Sequence, residues 1–384
     1  MYNLVNGQNN TKNNVAKDLI KSSCQAGFKG LYRGKKNDTT KTNLLNIVRD
    51  GFGTEMDKKY EEIGNVGSPG DSVGKGLHAS VAEEFGLVPG IPVSVSTIDA
   101  HAGVPGVGVG TSGVLVMVMG TSGCYMLNSD IDDALDSKKK IVHGCLGQVE
   151  NGIQKGYIGY EAGQSAMGDI FSWLSNMTSK SVNDLAKEAE EIYRDRKIKM
   201  KQGNDVQRSP LALDWFNGCR SPYNNGSLLG GIVQLNLSTT SGDLYVSVAE
   251  GLACGARQIV LNFENGNVPV NEIVAAGGLP HVAPLLMQIY ADALQRPIRV
   301  TSTKESGAMG AAIYGAVAGG VFENVEDAVE VMSMPSLENG VVYEPDTSVE
   351  VVEYWNDLSE RYAKLQELEI GLNEQKSSSS VHKM

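Results

Sequence analysis

Residues 91–127 read IPVSVSTIDAHAGVPGVGVGTSGVLVMVMGTSGCYML, and the order of apolar and small residues in this stretch decides the fold. Val114–Met119 is a run of apolar residues of strand length, and residues 124–127 resume the pattern after Gly120-Thr121-Ser122-Gly123. The segment therefore predicts a β-hairpin with a tip of small residues. Residues 91–98, apolar and β-branched, predict a buried strand that stops at Asp99, Ala100 and His101. A flexible, glycine-rich segment is expected from 103 to 113.

Outward from this stretch, strands alternate with helices. Helical spacing predicts helices over 161–175, 181–199, 245–263, 284–294 and 307–319, with strands at 272–276 and 298–300. That alternation means an α/β unit with helices laid against a sheet. The first 90 residues read as helices joined by polar loops, among them 42–48 and 76–85. At the other end, 351–372 predicts an exposed helix, and the serine-rich run 376–384 a disordered tail.

The chain has 384 residues, enough for two packed units and a large interior. Hydrophobic residues make up 41% and charged residues 20%, and no continuous apolar run approaches the roughly 20 residues that span a bilayer. The polar N-terminus lacks the apolar core of a secretory signal, so a cytoplasmic location is expected. Thirty-three Lys and Arg against 45 Asp and Glu give a net charge of −12, which speaks against nucleic acid or an anionic membrane as partner. The five cysteines, Cys24, Cys124, Cys145, Cys219 and Cys254, contain no Cys-x-x-Cys pair, excluding a disulfide framework and a zinc ribbon. His143 and Cys145 lack a second ligand pair, so no protein-held metal is expected.

Asp99 stands where an apolar run gives way to small residues, the place where α/β proteins put carboxylates that act on ligands beyond the strand ends. There it could act as a general base toward a hydroxyl, or simply cap a turn. His101 reads first as a structural imidazole bonded to backbone. The tip Gly120-Thr121-Ser122-Gly123 offers unobstructed N–H groups and two hydroxyls for phosphate oxygens, or is an ordinary turn. Gly277-Gly278, after a strand and before a helix, suits a nucleotide on bare backbone or a tight connection. A third fingerprint glycine and a Walker Gly-Lys-Ser/Thr are both missing, so neither a Rossmann site nor a P-loop is supported. Lys29 and Glu161 are charged residues set among aromatics and glycines. Together they could offer a donor and an acceptor to a polyhydroxylated ligand.

In order, SSCQAGFKGLY, VSTIDAHAGVPGVGV, VLVMVMGTSGCYML, GYIGYEAGQSAMGDIFSW, LALDWFNGCRSP and the run AAGGLPHVA to GAVAGG resemble the FGGY carbohydrate kinases, more closely the L-ribulokinase branch. The resemblance runs from about residue 22 to 320, and GYEAGQSAMGDIF with ALDWFNG carries its specificity. It implies an α/β, actin-like (ribonuclease H-like) sugar-kinase fold whose two domains close over ATP, Mg2+ and a ketopentose. Residues 1–112 would be the latter part of the sugar-binding domain, 113–322 the nucleotide-binding domain, and 323–384 a helical extension and tail. By the same resemblance Asp99 is the catalytic base and a sugar contact, Lys29 and Glu161 contact the sugar, and Gly120, Thr121, Ser122, Gly277 and Gly278 bind ATP. The implied reaction is phosphorylation of L-ribulose to L-ribulose 5-phosphate, as in L-arabinose catabolism. Other ketopentoses (D-ribulose, D-xylulose) and a catalytically inactive fragment are the alternatives, and a homodimer is left open. Two departures stand out. The Asp-x-Gly-Thr hairpin with which family members begin has no counterpart here, so the chain is expected to start partway through the first domain. Ala283 stands where ribulokinases usually place an asparagine near the adenine.

Overall fold

The computed structural model describes residues 21–28, 66–130, 142–204 and 210–380. The helix expected over 42–48, Lys29 and the last four residues of the tail lie outside them.

The hairpin forms. β1 (Val114–Met119) and β2 (Gly123–Asp130) pair antiparallel with Met119 opposite Gly123, which leaves Gly120, Thr121 and Ser122 as the tip. Beyond β2 the sheet continues antiparallel through β4 (Tyr157–Gln164) to β3 (Gly147–Glu150). On the other side of β1, β5 (Glu272–Ala276) and β6 (Ile298–Val300) pair parallel, and β7 (Val341–Tyr343) closes that edge antiparallel. The seven strands lie in the order β7-β6-β5-β1-β2-β4-β3.

The helices that bear on the site are α1 (Asp99–Gly106), α2 (Gly168–Thr178), α3 (Val182–Lys201), α4 (Ser241–Asn265), α5 (Pro284–Leu294), α6 (Ser306–Ala318) and α7 (Val349–Ser380). Side chains alternate across the central strands, so the sheet has two apolar faces. Leu115, Met117, Tyr125, Leu127, Ile273 and Ala275 join the larger core with α4 and α5. Val116, Met126, Val274 and Ala276 join the smaller core beneath α1. α4 begins with a capping box between Thr240 and Asp243. It is long and apolar enough to cross a bilayer, but Val246, Leu252, Ala253 and Phe263 are buried within the fold, as befits a central core helix.

Four expectations need correction. Residues 91–98 do not form a strand: they run extended beside residues 71–77, joined by scattered bonds such as Val73 N–H to the Val93 carbonyl at 2.8 Å. Pro92 lacks an N–H, and polar residues interrupt the run, so no continuous ladder forms. The glycine-rich stretch is not a flexible loop at its start, because Asp99–Gly106 is helical. Its glycines permit contact with α6: a β-carbon on Gly310 would stand 1.6 Å from the Ala102 carbonyl oxygen, and one on Gly106 1.8 Å from that of Ser306. Residues 161–164 belong to β4 rather than to a helix, since Tyr157, Ile158 and Tyr160 favour the sheet and the helix starts only at Gly168. The terminal helix is not simply exposed. It buries Val351, Trp355, Leu358 and Tyr362 on one stripe, and it continues to Ser380 through a run that composition assigned to the tail. Extending an existing helix is far easier than nucleating one.

Candidate active site

β1, β5 and β6 are parallel and β4 runs with β1, so four strands end on one edge of the sheet. On that edge Gly120 follows β1, Gly277 follows β5, and the start of α2 follows β4. The hairpin tip is braced from beneath. The Gly120 N–H donates to the Ser122 carbonyl at 3.0 Å, and the N–H groups of Met167 and Gly168 donate to Thr121 and Gly120 at 2.8 and 3.0 Å. Above the tip there is room: no atom lies within 4 Å of where a β-carbon on Gly120 or Gly278 would stand. Gly277 adopts φ +91°, and a β-carbon there would lie 2.5 Å from the Met119 carbonyl oxygen. Only glycine lets this turn pass so close to the end of β1. The two turns thus present adjacent bare backbone at one edge, which suits an anionic ligand.

α1 runs back along β1 and brings Asp99 to the same edge. A β-carbon on Gly103 would touch Val118 at 3.7 Å, and one on Gly307 would be 3.5 Å from the Asp99 carbonyl oxygen. Asp99 is the first residue of α1 and exposed, and its Oδ1 accepts the Ala100 N–H at 2.8 Å.

Behind Asp99 a polar chain joins several elements. Glu161 on β4, only 12% exposed, accepts from Arg220 Nη2 on Oε1 at 3.2 Å, and its Oε2 lies 3.1 Å from His101 Nε2. Arg220 Nη1 also donates to Cys124 Sγ at 3.3 Å. On its other side His101 Nδ1 lies 3.1 Å from Cys24 Sγ, which accepts from Thr97 Oγ1 at 3.3 Å and from the Ile98 N–H at 3.4 Å. Burial raises the Cys124 thiol pKa; Arg220 opposes that, and the charges of Glu161 and Asp99 add to it. For His101, burial works against a charge, but the hydrogen bonds to Cys24 and Glu161 outweigh it and raise the pKa to about 9.

A folded-state pKa above the ordinary 6.5 means that the bound proton stabilises the fold. The contribution is complete below pH 6.5 and is lost as pH rises through about 9; a shift of that size corresponds to on the order of 3 kcal/mol. Urea midpoints should therefore fall between pH 7 and 9, and His101→Gln should flatten that slope. An unchanged slope in the variant would show that other groups cause it.

Of the residues singled out in the sequence, Asp99, Gly120, Thr121, Ser122, Gly277 and Gly278 share one edge, and Glu161 lies behind Asp99 through His101. Lys29 is outside the described residues, although the helix Ser23–Phe28 just before it sets Cys24 against His101. Arg220 and Cys24 escaped residue-by-residue reading, and only the blocks LALDWFNGCRSP and SSCQAGFKGLY hinted at them. Asp214 of the first block is structural. Burial pushes its carboxyl up to about 6, against hydrogen bonds from Tyr362 and Gln164. Among the described residues no three His, Cys, Asp or Glu converge to hold a metal. A cavity of about 440 Å³, lined by Tyr193, Lys197, Pro284, Leu285 and Tyr343 among others, lies between α3 and α5 and includes none of these residues.

A mixed sheet with helices on both faces, and with two glycine turns and a carboxylate brought to one edge, defines an α/β protein whose candidate site lies at the strand ends. The profile of the FGGY family of carbohydrate kinases, C-terminal domain, matches residues 115–319. The chain belongs to the FGGY family of carbohydrate kinases. It is 37% identical to the ribulokinase of Shouchella clausii over 90% of this chain and 60% of that one. Over 82% of this chain and 55% of the other it is also 37% identical to the ribulokinase of Halalkalibacterium halodurans. It thus spans less than two thirds of the length of these curated relatives. Among solved structures, ligand-bound xylulose kinase from Lactobacillus acidophilus superposes with a TM-score of 0.69 at 16% identity, covering 91% of this chain and 64% of that one. Xylulose kinase from Rhodospirillum rubrum gives 0.66 at 19% identity, covering 84% and 61%. These structures share the FGGY sugar-kinase fold.

Proposed function

We propose that this chain carries the sugar and nucleotide sites of an ATP-dependent ketopentose kinase acting on L-ribulose, with L-ribulose 5-phosphate and ADP as products. One observation carries the reading: the exposed Asp99 carboxylate stands at the same sheet edge as the bare backbone of Gly120–Ser122 and Gly277-Gly278. Asp99 takes the proton of the sugar's terminal hydroxyl as that oxygen bonds to the γ-phosphorus, and the bond to the β–γ bridging oxygen breaks to release ADP. Gly120, Thr121 and Ser122 meet the phosphates, Gly277 and Gly278 underlie the adenosine, and Glu161 and Lys29 meet sugar hydroxyls. Mg2+ would arrive on the nucleotide's phosphates, since among the described residues no three His, Cys, Asp or Glu converge to hold it. Bound there, Mg2+ would neutralise phosphate charge. In this reading residues 113–322 form the nucleotide part, 1–112 belong to the sugar part, and 323–384 extend the former.

The ribulokinase relatives at 37% identity favour ribulose. D-Xylulose, another ketopentose, is the second reading. Coupled ADP release measured with L-ribulose, D-ribulose and D-xylulose distinguishes the two. L-Ribulose should give the highest kcat/KM; a preference for D-xylulose would replace the substrate, and release unaffected by any ketopentose would sink the kinase reading.

A further inference from the structure

We propose that His101 is a positioning residue of the sugar site: paired through Nε2 with the Glu161 carboxylate and in contact through Nδ1 with Cys24, it fixes Glu161 and ties it to the helix Ser23–Phe28. The inference rests on the ketopentose-kinase reading and goes beyond it, since no contact between His101 and the sugar is invoked. His101 is 1% exposed and lies two residues after Asp99 on α1. Its imidazole spans the gap between two other elements, with Nε2 3.1 Å from Glu161 Oε2 on β4 and Nδ1 3.1 Å from Cys24 Sγ.

A carboxylate has roughly four acceptor sites, and a ligand hydroxyl meets the right one only when the group's rotation is set. Arg220 occupies a site on one Glu161 oxygen and His101 a site on the other, so the carboxylate plane is fixed from both ends. Imidazolium suits the task because its two N–H groups point in nearly opposite directions. Cys24 Sγ is itself held by the Thr97 hydroxyl and the Ile98 N–H, the two groups just before Asp99. The same chain of contacts thus links the start of α1, which carries the proposed base, to the residue proposed to hold the sugar.

The groups facing His101 are consistent with a retained proton. Cys24 faces it from the helix Ser23–Phe28, and Glu161 from β4 with Arg220 and Cys124 beyond. From α6, Tyr314 lies near Cys24 but spends its hydroxyl on the Ile153 carbonyl at 2.7 Å. Asp99 begins the same helix two residues earlier.

The test combines a spectrum with a binding measurement on the full chain. With histidine labelled in nitrogen-15, His101 should show two protonated ring nitrogens at pH 7.5, and Glu161→Gln should move its titration to lower pH. By calorimetry His101→Gln should weaken L-ribulose binding about ten-fold and leave the ATP-Mg affinity within about two-fold, the size expected for one charge-assisted hydrogen bond. Added to Glu161→Gln it should cost nothing further. Cys24→Ser, which keeps an acceptor for Nδ1, should bind ribulose like the unaltered chain, whereas Cys24→Val should bind it more weakly. That comparison keeps the inference exposed even if His101→Gln does not fold. A neutral, single-tautomer His101, unaltered ribulose affinity in His101→Gln, or equal affinities for the two Cys24 variants would overturn it. Failure of the unaltered chain to bind any ketopentose would instead overturn the kinase reading, with the histidine spectrum still reporting on the proton.

Discussion

Asp99→Asn should slow L-ribulose-driven ADP release about 10³-fold, the middle of the range for a positioned general base. A loss of that size is about 4 kcal/mol in the barrier. The structural cost should be much smaller. Asp99 is exposed at the first position of α1, and its one described bond is to the next residue's N–H, which an asparagine oxygen can also accept. What the change removes structurally is a negative charge at a helix N-terminus, roughly 0.3–1 kcal/mol. The melting temperature should therefore barely move while turnover collapses, and L-ribulose affinity by calorimetry should stay within about three-fold, because the base acts mainly as the proton leaves. Steady-state rates and a thermal melt on the same preparation separate the two roles. Turnover within about ten-fold of the unaltered chain would remove Asp99 as base, since general-base catalysis contributes at least ~10². A collapse of stability would make it a structural cap.

The hairpin and the two turns were legible because their signals are local. Six apolar residues, four small ones and a resumed apolar run specify a hairpin wherever it is placed, and Gly277-Gly278 between a strand and a helix admits few backbone paths. Asp99 was expected at the strand ends for the wrong structural reason: it starts a helix, and no strand precedes it. The reading of 103–113 as a flexible segment failed over 103–106, because a glycine-rich helix has no propensity signal. Its stability comes from α6, which is about 200 residues away in the chain and invisible to any local window. The helix assigned over 161–175 failed at its start for a related reason, as the pairing of Glu161 with Met126 across the sheet overrides a helical spacing of alanines and isoleucine. Arg220 and Cys24 are long-range partners of Glu161 and His101, so the spacing of residues along the chain gave no geometric reason to group them. Charge and burial at the site follow from these contacts and could not have been foreseen from composition.

Gly310→Ala should cost about 3 kcal/mol of stability and lower turnover by about 10²-fold without touching a ligand-binding residue. Judged by helix propensity alone the change should help, by roughly 1 kcal/mol, because Gly310 is inside α6. Packing reverses the sign. The new β-carbon would stand 1.6 Å from the Ala102 carbonyl oxygen and 2.6 Å from its carbonyl carbon, and both belong to the backbone of α1, which cannot rotate aside as a side chain can. α1 would have to withdraw bodily, opening the cluster of Ala102, Ile313, Tyr314 and Val325 and dragging Asp99 and His101 with it. A displacement of about 1 Å at a catalytic group is enough for a hundred-fold loss, so kcat should fall even in the molecules that remain folded. Gly315→Ala is the internal control: it lies in the same helix, and nothing stands within 4 Å of its β-carbon position. That variant should be neutral or gain up to ~1 kcal/mol, with kcat unchanged. Urea midpoints and kcat for the pair decide the matter. Equal stability of the two variants would mean that α1 and α6 do not meet through these glycines, and the placement of Asp99 at the sheet edge would lose its structural support.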